Sequence, residues 1–320
     1  MKKNKIKDTG LEITELSFGT SSLGSMPDTY GYEVSEDRAQ KTLNRFFQGP
    51  ANMLDTSRNY AMGESEKRIG KAIKENGGWP ENFVLSTKID RNMDTLVLDK
   101  KRTRESIEES LKTLNVDSVD VLFLHDPEYV KDINDVTKKD GAIDELFKIK
   151  EEGLTKAVGL AMGKVDIMFP LLKDWDFDVI INHNRYTLLN REANEMYDYA
   201  SSKNMAIFNA APYAGGVLAK GPSNFKKITY QDASEEKLAP AREIEKVCKK
   251  YNVEMGAAAL QFSMKDKRIT STICGVTSIQ SIEKNLAWAN TNIPEEFWNE
   301  VLKLPYSTKD PESERNFTPG

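Results

Sequence analysis

Short apolar runs alternate with amphipathic stretches along almost the whole chain. The runs fall at 16–19, 53–55, 83–88, 119–125, 157–160, 179–181, 206–208 and 272–274. They are largely continuous rather than alternating, which is the pattern of strands covered on both faces. Between them apolar residues recur at spacings of three and four, the period of a helix with one inner face. The pattern predicts helices over 35–48, with Ser35 as N-cap and Ala39, Leu43, Phe46 and Phe47 inside, and around Ile69, Ala72 and Ile73. Further helices are predicted over 102–114, 141–152, 164–173, 190–202, 240–251 and 278–290. Thr9-Gly10, between Ile6-Lys7 and Glu12-Ile13, predicts a small N-terminal β-hairpin.

Eight strands, each followed by a helix, with no charged or Ser/Pro-rich linker between them, predict one α/β domain over residues 1–320. A doubly wound open sheet is the rival. Eight unbroken units favour closure into a (β/α)8 TIM barrel, a fold that takes about 250 residues or more.

Composition narrows the function classes. A net charge of −5 argues against nucleic acid or an anionic membrane as partner. Cys248 and Cys274 lie far apart, and only two histidines are present, so no metal-ligand spacing exists and no metal is expected. The basic start, residues 1–5, is followed by no apolar run, and no stretch approaches the roughly 18 apolar residues of a membrane span. A cytoplasmic enzyme acting on a small molecule is the expectation, with monomer and homo-oligomer both open.

Three strand ends carry chemistry. The second strand ends at Asp55, with Tyr60 five places on; the third ends in Lys88 and the fourth in His125. They are spaced by about one strand-plus-helix unit, so the ends converge at the C-terminal mouth of a barrel, where such folds place their chemistry. A free tyrosine titrates near pH 10, too high for efficient proton transfer at neutrality. An ammonium beside it would favour the phenolate and lower that value, with Asp55 holding Lys88 protonated and His125 hydrogen-bonding the substrate oxygen. Other nucleotide and nucleophile motifs are missing: no Gly-x-Gly-x-x-Gly follows the first strand, Gly19 and Gly24 lack the Lys-Ser/Thr of a P-loop, and there is no Gly-x-Ser-x-Gly.

Asp55 with Tyr60, Ser86-Thr87-Lys88 and Leu124-His125-Asp126 resemble the Asp, Tyr, Lys, His tetrad of the aldo-keto reductases, and Gly63-Glu64-Ser65-Glu66 matches the run after the tyrosine. The segments 125–128, 184–189 and 210–218 are similar to the D-threo-aldose (L-fucose) 1-dehydrogenase branch. The resemblance implies metal-free hydride transfer between a nicotinamide and a carbonyl or hemiacetal carbon, with Asp55, Tyr60, Lys88 and His125 as catalytic residues. It implies Gly19, Thr20, Asp55 and His183 on the nicotinamide side and Ala211, Pro212, Tyr213, Gly216, Val217 and Leu218 along the pyrophosphate. Gly275, Val276, Thr277, Ser281 and Asn285 would surround the adenosine.

Three departures from the family pattern stand out. Ala161-Met162 replaces Ser-Asn, His183 replaces Gln, and Ala210 replaces an aromatic residue. Asn59, Asp126 and Arg185 are expected to offer a sugar substrate hydrogen bonds. The run 275–285 carries no cation at the positions where NADP-preferring relatives have one, and Lys284 neighbours Glu283, so NAD is expected, with NADP possible. The loops 24–34 and 126–140 and the tail from 294 are expected to select the substrate. The rivals are a reductase of small aldehydes or ketones and, in a different class, a nicotinamide-binding regulatory subunit or redox sensor.

Overall fold

The computed structural model describes residues 1–315. Strands β1 (Lys3–Lys5) and β2 (Glu12–Thr14) form the N-terminal antiparallel hairpin. Strands β3 (Leu16–Gly19), β4 (Met53–Asp55), β5 (Val84–Ile89), β6 (Val119–His125), β7 (Thr155–Met162), β8 (Val179–His183) and β9 (Ala206–Ala210) follow. After a small outer hairpin, β10 (Lys227–Ile228) and β11 (Gln231–Asp232), comes β12 (Ser271–Gly275). The eight strands β3 to β9 and β12 make a closed parallel barrel, sealed where Ile273 pairs with Ser17 on one side and Ala210 on the other. This is the (β/α)8 TIM barrel with an N-terminal hairpin.

Two apolar layers result. Inside the barrel lie Met53, Val84, Val121, Phe123, Ala157, Val179, Phe208 and Ile273, with Phe123 and Phe208 edge-to-face at 6.1 Å. Ile6, Leu11 and Ile13 of the hairpin join this layer and plug the N-terminal end of the barrel. Asn52 fixes the plug: it accepts from the Thr14 N–H at 2.9 Å and donates to the carbonyls of Glu12 and Asn82. Outside the barrel, the inner faces of the helices pack on the strands in one continuous cluster. At Gly159 a Cβ would stand 1.8 Å from the Val179 carbonyl oxygen, so only glycine lets β7 and β8 approach there.

Helix starts follow their caps. Ser35 accepts from the Arg38 N–H and opens the helix Glu36–Phe47; Ser234 does the same for Glu235–Lys250, five residues earlier than the pattern placed that start. Pro240 lies inside that helix rather than beginning it. The helix Met255–Met264 was missed because it is apolar nearly all round and shows no period; it is wedged between β12 and the helix Ile279–Ala289. The segment 190–193 precedes its helix, Asn194–Ser202, instead of opening it. After the last helix, Glu295–Val301, the chain returns over the C-terminal mouth as a strap. Its hydrogen bonds run from the Arg191 N–H to the Ser307 carbonyl, and from Asn190 and Thr229 to the carbonyls of Lys309 and Pro311. Among the described residues, no helix is long and apolar enough to cross a membrane.

Candidate active site

The barrel register delivers Asp55, Lys88 and His125 to one end, as the strand spacing predicts. Lys88, 1% exposed, donates to Asp55 Oδ2 at 2.7 Å and to the Thr56 carbonyl at 2.6 Å. Ser86 holds the other Asp55 oxygen at 2.9 Å. The Lys88 ammonium stands 4.6 Å from the centroid of the Tyr60 ring, and the His125 ring meets Tyr60 edge-on at 5.7 Å. Tyr60 opens a tight turn in which Ala61 and Met62 take left-handed backbone angles before the helix Glu64–Glu75. The four residues therefore converge.

The electrostatics differ from the expectation at one point. Burial, reinforced by the Asp55 carboxylate, pushes the Tyr60 hydroxyl well above 10 rather than below it. The ammonium that was to lower it is already shared with Asp55 and Thr56. Burial opposes charge on His125, but the Asp126 and Asp90 carboxylates outweigh it and raise its pKa above the usual histidine value.

Asp90 was not singled out from the sequence, yet it is the nearest polar partner of the His125 ring. Its Oδ1 is 2.6 Å from His125 Nδ1, and its Oδ2 accepts from Ser57 Oγ at 2.5 Å and the Asn59 N–H at 2.9 Å. The signal was present: Asp90 stands two places beyond Lys88, the spacing that returns a side chain to the same strand face. Glu128 lies within the segment 125–128. It accepts the N–H groups of Gly163 and Lys164, and burial beside Asp126 pushes its carboxyl up to about 7.

The substrate candidates divide. Asp126, in a left-handed conformation, faces His125 Nε2 at 3.8 Å, while Asn59 gives its N–H to Asp90 and its side-chain amide to Met93 Sδ. Arg185 does not serve as expected. Its guanidinium, 1% exposed, is bound by Glu312 and, at 2.6 Å, by Asp310, so it anchors the strap rather than offering donors to a substrate. Glu312 also stands 3.5 Å from His183 Nδ1, and burial, with the Arg185 charge acting in the same sense, keeps His183 below its usual pKa despite that carboxylate. Tyr30 and Tyr230 pack edge-to-face at 5.9 Å, and the Tyr30 hydroxyl bonds Ser21 Oγ at 2.7 Å.

The cofactor candidates divide as well. His183, Ala211, Tyr213, Gly216, Gly275, Thr277 and Ser281 keep some exposure, and no atom lies within 4 Å of a Cβ built on Gly275. Gly19, Thr20, Pro212, Val217, Leu218, Val276 and Asn285 are buried and shape the surface from beneath. Tyr213 and Asn285 are bonded to each other, and Ser281 caps its own helix through the Thr277 and Ser278 N–H groups. A cation comes to Thr277 from outside the 275–285 run: Arg38 Nη2 donates to Thr277 Oγ1 at 3.3 Å. Open backbone at Gly275, a hydroxyl at Thr277 and a guanidinium at Arg38 fit the phosphate and ribose chemistry of a dinucleotide.

A closed (β/α)8 barrel with lysine, aspartate, tyrosine and histidine at its C-terminal end defines a class of oxidoreductase-type scaffolds. Residues 15–304 match the model of the aldo/keto reductase family, and the chain belongs to that family, whose members typically use nicotinamide cofactors. It is 31% identical to L-galactose dehydrogenase of Arabidopsis thaliana over 88% of this chain and 85% of that protein. It is 27% identical to D-threo-aldose 1-dehydrogenase of a Pseudomonas species, covering 92% of this chain and 94% of the relative. Among solved structures it superposes on the holo form of an aldo-keto reductase from Bacillus halodurans with a TM-score of 0.79, at 22% identity over 99% of this chain and 100% of that one.

Proposed function

We propose that the chain, as one catalytic domain, oxidises an aldose at its anomeric carbon with a nicotinamide coenzyme. The observation that carries this reading is the convergence of Tyr60, Lys88, Asp55 and His125, with Asp126 3.8 Å from the open His125 nitrogen, where a polyol would be held. The likeness to two sugar dehydrogenases supports it.

The nicotinamide, when bound, supplies the hydride acceptor or donor at the substrate carbon. Tyr60 takes the proton of the anomeric hydroxyl in oxidation and returns it in reduction. Lys88, held by Asp55, places positive charge against the Tyr60 ring and favours the phenolate that oxidation requires. His125 and Asp126 orient the substrate oxygen and its neighbouring hydroxyls. Since the Tyr60 hydroxyl is held well above 10, its protonated form dominates at neutral pH. Oxidation then runs through a small phenolate fraction and speeds up as pH rises.

That same proton-donor state supports a second reading, reduction of small aldehydes or ketones. On the coenzyme, where NAD was expected with NADP possible, Arg38 beside Thr277 adds a cation: we propose that either coenzyme is taken, with Arg38 the group that meets a 2′-phosphate. Initial rates with a panel of aldoses and aldehydes, with NAD and NADP in both directions, test the proposal. Aldose oxidation should exceed any aldehyde reduction in kcat/KM; turnover of aldehydes alone would favour the second reading, and no turnover at all a regulatory role.

A further inference from the structure

Asp90 lies beyond the four residues discussed above, yet its placement dictates the protonation state of one of them. It is 2% exposed and accepts two hydrogen bonds on Oδ2, from Ser57 and the Asn59 N–H, which hold it as a carboxylate. Its Oδ1 faces His125 Nδ1 at 2.6 Å. A carboxylate only accepts, so Nδ1 must carry a proton. The single proton of a neutral imidazole is then used up, and Nε2 turns a bare lone pair toward the mouth. The oxygen that His125 must hold is itself an acceptor: the carbonyl in reduction, and in oxidation a hydroxyl whose one proton goes to Tyr60. Two acceptors would face each other. Only an imidazolium, protonated on both nitrogens, gives that oxygen a hydrogen bond.

We propose that Asp90 is a positioning residue that holds His125 as an imidazolium with Nε2–H aimed at the substrate oxygen. The proposal rests on the oxidoreductase reading for its catalytic consequence, but the protonation state can be observed without turnover. The charged and titratable groups facing His125 are Asp90 and Lys88 from β5 and its end, Asp126 from its own strand end, Tyr60 from the turn after β4, and His183 from β8. Burial and Lys88 oppose the imidazolium; the two carboxylates favour it and prevail. His125 keeps both its protons throughout the reaction, and the transferred proton belongs to Tyr60.

The consequence is a pH signature. With Tyr60 titrating above His125, reduction is flat at low pH and falls tenfold per pH unit once His125 deprotonates; oxidation rises with pH and levels off at the same point. In Asp90→Asn the amide can donate to Nδ1 instead, and a neutral Nε2–H tautomer becomes the donor. The His125 break should then leave both profiles.

Nitrogen-15 NMR of the imidazoles decides the matter, because the chain has only two histidines and His183→Gln assigns the spectrum. The expected result is a wild-type His125 protonated on both nitrogens below its pKa, losing the Nε2 proton above the ordinary value of about 6.5. Asp90→Asn should titrate lower and show the Nε2–H tautomer, and Asp90→Glu should restore part of the wild-type behaviour. A bare Nδ1 in the wild type, or an Asp90→Asn spectrum and rate profile that titrate as before with only a uniform loss of rate, would overturn the proposal. Failure to turn over any sugar or aldehyde would sink the functional reading and leave the tautomer measurement standing as the test of this one.

Discussion

At the scale of single residues, the proposed reaction rests first on the Tyr60 hydroxyl. Tyr60→Phe keeps the ring over which Lys88 sits and removes only the transferable proton. We expect kcat to fall by about 10²–10⁴-fold or more, with coenzyme binding near wild type by fluorescence titration. A variant retaining most of its kcat would remove Tyr60 from proton transfer. Arg38 carries a second expectation. One charge-assisted hydrogen bond contributes about 1.5–3 kcal/mol, and 1.4 kcal/mol is tenfold in an equilibrium constant. Arg38→Ala should therefore lower kcat/KM for NADP about tenfold and leave NAD unchanged; equal losses with both would show that Arg38 meets no 2′-phosphate.

The elements are held against one another by buried polar contacts as well as by apolar faces. Glu66, on the helix Glu64–Glu75, is fully buried and accepts from Thr87 Oγ1 of β5 at 2.6 Å. Burial pushes its carboxyl up to about 7. The folded pKa thus lies above the unfolded one, so this group's contribution to stability is fully present below about pH 4.3 and is lost as pH rises toward 7, where the unfolded chain ionises first. Glu66→Gln keeps an acceptor for Thr87 and has nothing to ionise. Its melting temperature should gain on the wild type between pH 5 and pH 7.5. Parallel curves across that range would show that Glu66 ionises in the folded state at its ordinary pKa.

The whole molecule is closed at the mouth by a strap whose anchor is ionic. Arg185 is buried against Glu312 and Asp310, with Glu192 at 3.8 Å from Nε. Removing one partner from a buried pair leaves charge uncompensated, at a cost of about 3–5 kcal/mol. Asp310 and Glu192 remain in Glu312→Ala, so we expect the lower end, about 3 kcal/mol in urea unfolding, with faster proteolysis after residue 305. An unfolding midpoint and a cleavage rate both unchanged would mean that Glu312 does not hold the strap.

The sequence by itself determined the barrel and the meeting of Asp55, Lys88 and His125 at one end of it, because both depend on short-range periodicity. Unbroken apolar runs require strands covered on both faces, and one strand-plus-helix unit between Asp55, Lys88 and His125 sends their ends the same way. It also carried the N-terminal hairpin, though not its use as a plug. What only the tertiary structure decided are relations between distant segments. Arg185 looked free until residues 310 and 312 folded back on it. The phosphate-facing positions of the 275–285 run looked uncharged until the helix Glu36–Phe47 set Arg38 beside Thr277. The helix Met255–Met264 gave no period because it is apolar nearly all round, and only the fold shows what it packs against. Tyr60 looked poised for a lowered pKa, but a pKa reports a whole environment, and burial beside Asp55 outweighs one shared ammonium. Periodicity is written along the chain, whereas desolvation and charge pairing are sums over three dimensions that folding alone brings together.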